Sequence, residues 1–162
     1  MPAGWRNGAL AALLLGCCSR RDDPSAALPL APARVDPLVL ELPRIRYGES
    51  GRGVYRIVNE GTAPLWIAQI GPLPCDCADA ELELPARPDA PGRLRVDPNG
   101  MRVELRPAEA ALLHLTLETS RFREPVSRKH GAFVLRFEGY EPLRLEFGAD
   151  IWNPHWVEPW LV

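Results

Sequence analysis

Cys75 and Cys77 carry the clearest chemical signal in this sequence, because a single residue separates the two thiols. Two neighbouring thiols are able to form a small local disulfide, to bind a soft metal ion such as copper(I) or zinc, or to exchange disulfides with other thiols. A closed zinc site takes four ligands, and the further candidate ligands are His114, His130 and His155. We favour a local structural pair, with a small metal-binding or redox protein as the alternative.

The histidines are otherwise explained as ordinary surface residues. His114 alternates with the leucines of a predicted strand, so we expect it on the half-exposed face. His130 follows Arg128 and Lys129 in a segment that we interpret as a solvated loop. The sequence has no nucleophile elbow, Walker loop, zinc-protease motif or dinucleotide-binding glycine pattern. It therefore predicts no catalytic residues, no enzyme and no cofactor.

Three tryptophans spaced four residues apart mark the C-terminal tail, residues 152–162: Trp152, Trp156 and Trp160. Pro154 and Pro159 argue against a helix here, so the tail is predicted to be extended or rich in turns. Exposed tryptophans favour interfaces. The tail either folds back over a sheet edge, offers a surface to a partner, or contacts a glycan or lipid. We retain the three tryptophans as a candidate partner surface.

The first residues have the layout of an export signal, with one charge at Arg6 followed by an apolar run. That run is shorter than the roughly 20 residues that a membrane-spanning helix needs. Its end, Leu14-Leu15-Gly16-Cys17, resembles the lipobox of bacterial lipoproteins. The resemblance implies removal of a signal peptide, residues 1–16, and a lipid on Cys17. A plain secretory signal and a short uncleaved anchor are the alternatives.

Residues 17–36 are rich in proline and alanine and show no periodicity, which predicts a flexible tether between the lipid and the folded domain. Cys18, rather than Asp, follows Cys17. In the lipoprotein class this implies that the protein is not retained at the inner membrane. We therefore expect it in the cell envelope, anchored at the periplasmic face or in the outer membrane.

Length and charge restrict the remaining possibilities. The chain has 162 residues, 46% of them hydrophobic and 25% charged, with a formal net charge of −2. This is enough for one folded domain and is not the composition of a disordered chain. No long basic run is present, so a nucleic-acid partner is not expected.

The residues between the tether and the tail, 37–151, alternate between apolar and polar with a period of two, which predicts strands. The predicted strands are residues 38–42, 54–59, 65–70, 81–84, 94–97, 101–105, 113–117, 133–137 and 143–147. Turns are predicted at residues 48–53, at 59–61 and at 98–100, the last closing a hairpin through Asn99-Gly100. Many short strands in a domain of this size predict an all-β, immunoglobulin-like antiparallel β-sandwich.

The residues from about 48 to 151 also resemble a bacterial domain family of unknown function that is related to the Hydin-type immunoglobulin-like domains. The matching positions are Asn59, Gly61, Pro64, Leu65, Ile67, Cys75 and Cys77, with Arg106-Pro-Ala-Glu109 in the place of a Pro-Gly-Glu corner. Asp76 stands where that family has glycine. The resemblance implies a seven-stranded fold in exported bacterial proteins, with no established activity.

Together these patterns predict an exported, lipid-anchored, non-catalytic binding or structural module of the bacterial cell envelope. Its expected partners are the membrane, through the lipid, and a protein of the envelope.

Overall fold

The computed structural model describes residues 27–88, 92–97, 99–122 and 126–154. These residues form two β-sheets packed face to face. The strands are β1 (Ala33–Asp36), β2 (Val39–Glu41), β3 (Ile45–Arg46), β4 (Ser50–Asn59), β5 (Leu65–Ile70), β6 (Ala78–Glu83), β7 (Arg93–Arg95), β8 (Val103–Leu105), β9 (Ala110–Glu118), β10 (Arg128–Phe137) and β11 (Leu143–Trp152). A single turn of 3-10 helix, Thr119–Arg121, follows β9.

The first sheet has the order β1-β4-β9-β6-β7, and the second has the order β2-β11-β10-β5-β8, with β3 also paired to β11. Neighbouring strands are antiparallel with two exceptions. β2 and β3 both run parallel to β11, which departs from the wholly antiparallel prediction. The chain passes from the first sheet to the second at Pro37, a residue that has no N–H to continue the ladder of β1.

The core lies between the sheets and follows from the alternation of side chains along each strand. In β9, buried and half-buried residues alternate along the whole strand. Leu113, Leu115 and Leu117 are completely buried, and they face Leu135, Leu145 and Phe147 of the second sheet within one continuous apolar cluster. The period-two pattern of the leucines therefore correctly predicted which face of this strand is buried.

The predicted two-sheet sandwich is confirmed, but two predicted turns are wrong. The segment 48–53 was expected to be a turn, whereas β4 already begins at Ser50 and Gly51 is buried beneath Ile45. The Asn99-Gly100 turn does not close a hairpin. β7 pairs with β6 in the first sheet and β8 pairs with β5 in the second, so the segment between them crosses from one sheet to the other.

The predicted tether, residues 17–36, is wrong at its C-terminal end. Residues 33–36 form β1, which pairs with β4 from Ala33 opposite Asn59 to Asp36 opposite Arg56. Val35 faces the core and is buried. This strand was not predicted for two reasons. The sequence around it is rich in proline, and its four residues are too few to establish a period of two. Residues 17–26 lie outside the described residues.

The turn at Asn59 is present as predicted, and its cause is the asparagine side chain. Oδ1 of Asn59 accepts a hydrogen bond from the Gly61 N–H at 2.9 Å. Nδ2 donates to the carbonyl oxygens of Ala63 at 2.9 Å and Leu105 at 2.8 Å. Asn59 is fully buried, so this one side chain ties the end of β4 to the end of β8.

The strand registers place the start of β1 and the cysteine loop at opposite ends of the sandwich. Ala33 lies opposite Asn59, the last residue of β4. Ser50, the first residue of β4, lies opposite Glu118, and Ala78 lies opposite Leu117. The loop that precedes Ala78 is therefore at the far end from Ala33. Among the described segments, no helix has the length and apolar character needed to cross a bilayer.

Candidate functional site

Cys75 and Cys77 lie in the loop between β5 and β6, residues 71–77, and their sulfurs are joined in a disulfide. We call residues 71–77 the cystine loop and this end of the sandwich the cystine end. Cys77 is buried, with 3% of its surface exposed, whereas Cys75 is half-buried. The carbonyl oxygen of Cys77 accepts a hydrogen bond from the Glu118 N–H at 2.8 Å. This bond attaches the loop to the end of β9.

Arg121, in the 3-10 helix, holds the cystine loop from the other side. Its Nη1 donates to the carbonyl oxygen of Asp76 at 3.1 Å and to Oδ2 of Asp79 at 3.1 Å. Its Nε lies 2.6 Å from Oε2 of Glu118. One guanidinium thus joins the cystine loop, β6 and β9, and it fixes the position of the disulfide relative to the first sheet.

Two grooves flank the cystine loop. The first has a volume of about 510 Å³ and is lined by Pro74, Cys75, Asp76, Cys77, Arg121, Phe122, Val126 and Lys129. The second has a volume of about 620 Å³ and extends over Pro72, Leu73, Ala78, Asp79, Arg95 and Val96. Cys75 lines both grooves, whereas Cys77 lines only the first. The half-buried cysteine is therefore the one that lies beside both grooves.

Gly131 allows the cystine loop to approach the second sheet closely. A Cβ atom at this position in β10 would lie 2.5 Å from two ring carbons of Phe147 and 2.6 Å from Cγ of Pro74. These distances are shorter than any side chain tolerates, so only glycine fits between the ring and the loop. The close packing of the cystine loop against the second sheet therefore depends on Gly131, which lies 56 positions after Cys75 in the sequence.

Cations at the cystine end lie against aromatic rings. Nζ of Lys129 is 5.7 Å from the centroid of the Phe122 ring. The guanidinium carbons of Arg44 and Arg46 are 5.9 Å and 5.8 Å from the centroid of the Trp152 ring. At such distances the positive charge is attracted to the face of the ring. Cations and aromatic rings therefore lie together at the cystine end.

Trp152 was predicted to begin the tail, but it is the last residue of β11 and pairs with Arg46 of β3. Its half-buried ring belongs to the sandwich rather than to a separate strip. The other two tryptophans predicted as a partner surface, Trp156 and Trp160, lie outside the described residues. Cys17, the predicted lipidation site, also lies outside them.

His114 lies in mid-strand on the outer face of β9, as predicted, with its side chain 28% exposed. Its Nε2 is 2.9 Å from Oε2 of Glu83, which also lies 2.6 Å from Nη2 of Arg93. Hydrogen bonds from Arg93 and His114 lower the pKa of Glu83 below its ordinary value. This histidine therefore belongs to a network of surface ion pairs on the first sheet.

The loop predicted around His130 is wrong. His130 is in β10, opposite Gly148 of β11, and its exposed ring accepts a hydrogen bond from Nε of Arg128 at 2.7 Å. Neither His114 nor His130 lines a groove with the cysteines. Over the described ranges, no group of three His, Cys, Asp or Glu side chains is close enough to hold a metal ion.

Sequence reasoning found the two cysteines but missed the residues around them. Arg121, Phe122, Val126 and Lys129 reach the disulfide from the segment after β9, which is more than 40 positions away from Cys77. No local sequence pattern identifies these four residues, because only the folding of the two sheets brings them beside the cysteines.

No protein-family model and no curated protein matches this chain. Solved structures do match. A protein of unknown function from Porphyromonas gingivalis aligns with a TM-score of 0.55 and 16% identity over 80% of this chain and 51% of that chain. The chain therefore spans about half the length of that protein. PapD-like domain 7 of human CEP192 aligns with a TM-score of 0.52 and 10% identity over 91% of this chain and 99% of that domain.

A family 123 glycoside hydrolase from Clostridium perfringens aligns with a TM-score of 0.50 and 9% identity over 71% of this chain but only 23% of that enzyme. At these identities the similarity shows the fold alone. The chain is an all-β, immunoglobulin-like sandwich of the kind found in PapD-like domains. The fold class predicted from the alternating strands is thereby confirmed.

Proposed function

We propose that this protein is an exported, lipid-anchored, non-catalytic binding module of the bacterial cell envelope, with its binding surface at the cystine end. The observation that carries the proposal is the opposition of the two ends. The chain enters the sandwich beside Asn59, and the cystine loop with its grooves lies at the other end of β4. A module built in this way faces away from its anchor.

The size of the sandwich supports this arrangement. The ten residues of β4 span about 30 Å at roughly 3.3 Å per residue. A lipid on Cys17 would hold the N-terminal end near the membrane, and residues 17–32 would act as the tether. The grooves beside the disulfide would then project into the surrounding aqueous space, within reach of other envelope proteins.

The surface at the cystine end also suits a protein partner. It combines apolar walls from Pro74, Phe122 and Val126 with the positive charges of Arg121 and Lys129. Aromatic residues and arginine, here Phe122 and Arg121, are enriched at protein interfaces. We further propose that the chain belongs to the Hydin-related family that its sequence resembles, a proposal supported by the Asn59–Gly61 turn and by the cystine directly before β6.

The anchor is tested by replacing the lipidated residue. In cells, the Cys17→Ser variant should lose incorporation of labelled fatty acid and move from the membrane fraction to the soluble periplasmic fraction. Cys18→Ser is the matched control and should stay with the membrane. A Cys17→Ser chain that keeps both label and membrane association would contradict the proposal.

The orientation of the binding surface is tested by site-specific photo-crosslinking in intact cells. A photoreactive side chain at Val126, in the first groove, should give a discrete crosslinked product with an envelope protein. The same side chain at Glu141, which lies beside Pro29 at the N-terminal end, is the control and should give none. Equal crosslinking from both positions would remove the basis for a binding surface at the cystine end.

A further inference from the structure

We propose that the Cys75–Cys77 disulfide is exchange-active and captures a cysteine-bearing segment of a partner protein in the first groove. The inference rests on the proposed function for the choice of surface, and it adds the chemical class of the partner, a segment with two thiols. It also assigns separate roles to the two sulfurs: Cys75 receives the attack and Cys77 is the leaving group.

The burial of the two cysteine residues differs in the way that exchange requires. Thiol–disulfide exchange begins when a thiolate reaches one sulfur of a disulfide, so access decides which sulfur is attacked. Cys77 is buried and is held by the hydrogen bond from the Glu118 N–H to its carbonyl oxygen. Cys75 is half-buried and lines the grooves on both sides of the loop. An incoming thiolate therefore meets Cys75 first.

The lining of the first groove suits a thiolate. Arg121 and Lys129 line it together with the two cysteines and Asp76, and because Arg121 is paired with Asp79 and Glu118, the main positive charge is that of Lys129. Positive groups close to a cysteine favour the thiolate over the thiol, which helps both the attacking sulfur and the sulfur that departs. Lys129 lies over the Phe122 ring rather than against a carboxylate, so its charge is not neutralised by an ion pair within the described part of the chain.

The groove also has room and apolar walls for a short peptide. Its volume of about 510 Å³ lies within the range of ligand-binding clefts. Pro74, Phe122 and Val126 provide apolar contacts next to the disulfide. An extended segment with acidic residues beside its cysteines would match both the apolar walls and the cations.

The exchange balances as two displacement steps. In the first, a partner thiolate attacks Sγ of Cys75. A bond forms between the two sulfurs, the Cys75–Cys77 bond breaks, and its electron pair leaves on Sγ of Cys77, which takes a proton from water. In the second, the partner's other thiolate attacks its own bonded sulfur and releases Cys75 as a thiolate. The partner dithiol is oxidised to a disulfide, and the cystine is reduced to two thiols.

The reaction is tested with the full-length chain, purified in detergent and fully oxidised. The probe is a synthetic peptide with two cysteines separated by one residue and flanked by glutamates. We expect one peptide disulfide for each protein disulfide reduced, measured by mass spectrometry after alkylation. Lysine flanks should slow the reaction about threefold, and Lys129→Ala should slow the glutamate peptide by a similar factor, as expected for surface charge interactions.

Single-cysteine variants test the separate roles of the sulfurs. With 5,5′-dithiobis(2-nitrobenzoate), Cys77→Ser, which leaves Cys75 free, should react at least about tenfold faster than Cys75→Ser because of the difference in burial. The Cys75→Ser/Cys77→Ser double variant supplies the background from Cys18, since the sulfur of a lipidated Cys17 is not free to react. Equal rates for the two single variants would refute the assigned roles.

The native chain alone decides the main inference, whether or not the variants fold. If the Cys75–Cys77 disulfide survives excess dithiol peptide in the folded protein and is reduced only after denaturation, it is a structural bond and the inference is wrong. That outcome leaves the proposed function untouched, because the fatty-acid label and the position-specific crosslinks do not depend on exchange. Conversely, loss of the anchor would not affect a reaction measured in detergent.

Discussion

The hydroxyl of Tyr55 donates a hydrogen bond to the carbonyl oxygen of Glu146 at 2.7 Å. Tyr55 belongs to β4 in the first sheet, and Glu146 belongs to β11 in the second, so this bond crosses the core and joins the two layers. The Tyr55 ring is fully buried and meets Phe133 edge to face, with centroids 5.7 Å apart. Burial, and to a smaller extent the charge of Glu146, raises the pKa of Tyr55, so the phenol stays a neutral donor.

Removing this hydroxyl should weaken the contact between the sheets. We expect Tyr55→Phe to lower the free energy of unfolding by about 1–2 kcal/mol, because the Glu146 carbonyl loses its buried partner while the ring packing is kept. Urea denaturation followed by circular dichroism measures the change. Tyr140→Phe, at a half-buried position, is the control and should change stability by less than about 0.5 kcal/mol. Equal effects of the two substitutions would show that the bond contributes nothing.

Asn59 should be among the most sensitive polar positions of the chain. Its side chain makes three hydrogen bonds inside the structure, and Asn59→Ala leaves two carbonyl oxygens and one N–H without these partners. We expect a loss of about 3 kcal/mol in the free energy of unfolding. The matched control is Asn99→Ala in an exposed turn, where Asn99 bonds only to Asp97 within the described residues. A cost below 1 kcal/mol for Asn59→Ala, measured by denaturant titration, would contradict this account.

Gly131→Ala should loosen the packing of the cystine loop against the second sheet. The added methyl group would collide with the Phe147 ring and with Pro74, and overpacking of this kind costs about 1–3 kcal/mol. We expect lower stability together with faster amide exchange in residues 71–77. Ala132→Ser, at the next position on the opposite face of β10, is the control and should leave both quantities unchanged. Normal exchange in the loop of a destabilised Gly131→Ala protein would show that the loop is held elsewhere.

The stability of the folded protein at acid pH should depend on Glu83. Its pKa is lowered from 4.5 by Arg93 first and by His114 second, so the ionised form is favoured in the folded state. The stabilisation is complete above the ordinary carboxyl pKa and is lost as the pH falls through the lowered value. The stability difference between the wild type and Glu83→Gln should therefore be largest near neutral pH and should shrink below about pH 4.5.

Salt provides the control for this prediction. Glu83 and its partners lie on the surface of the first sheet, where 1 M salt screens charges beyond about 3 Å. High salt should reduce the difference between the wild type and Glu83→Gln at neutral pH. A difference that is independent of both pH and salt would mean that the substitution acts through packing.

Alternation of side chains was enough to predict the fold class and most of the strands. Leu65–Ile70 was predicted with its observed bounds, and the leucines of β9 were placed on the correct face. The failures occurred where the chain changes sheets. Residues 33–36 were missed because four residues are too few to establish a period, and residues 98–100 were misassigned because nothing local distinguishes a turn within one sheet from a crossover between two.

The candidate site was predicted only in part, for a related reason. The spacing of Cys75 and Cys77 is visible in the sequence, but Arg121, Phe122 and Lys129 reach the disulfide only because Ala78 pairs beside Leu117 in the first sheet. No sequence pattern singled out Gly131, because its role is to leave space for Pro74 against the second sheet. Periodicity describes which face of a strand is buried, and it contains no information on which loops meet.

β11 is bordered on one side by β2 and β3 and on the other by β10. The last strand of the described residues is therefore required to close a sheet that also contains two of the first three. Until it arrives, β2 has no neighbour and β10 has an open edge, and Tyr55 lacks its acceptor. The second sheet therefore cannot form completely until strands far apart in the sequence have met, and such non-local pairings are the slow step in the folding of β-sandwiches.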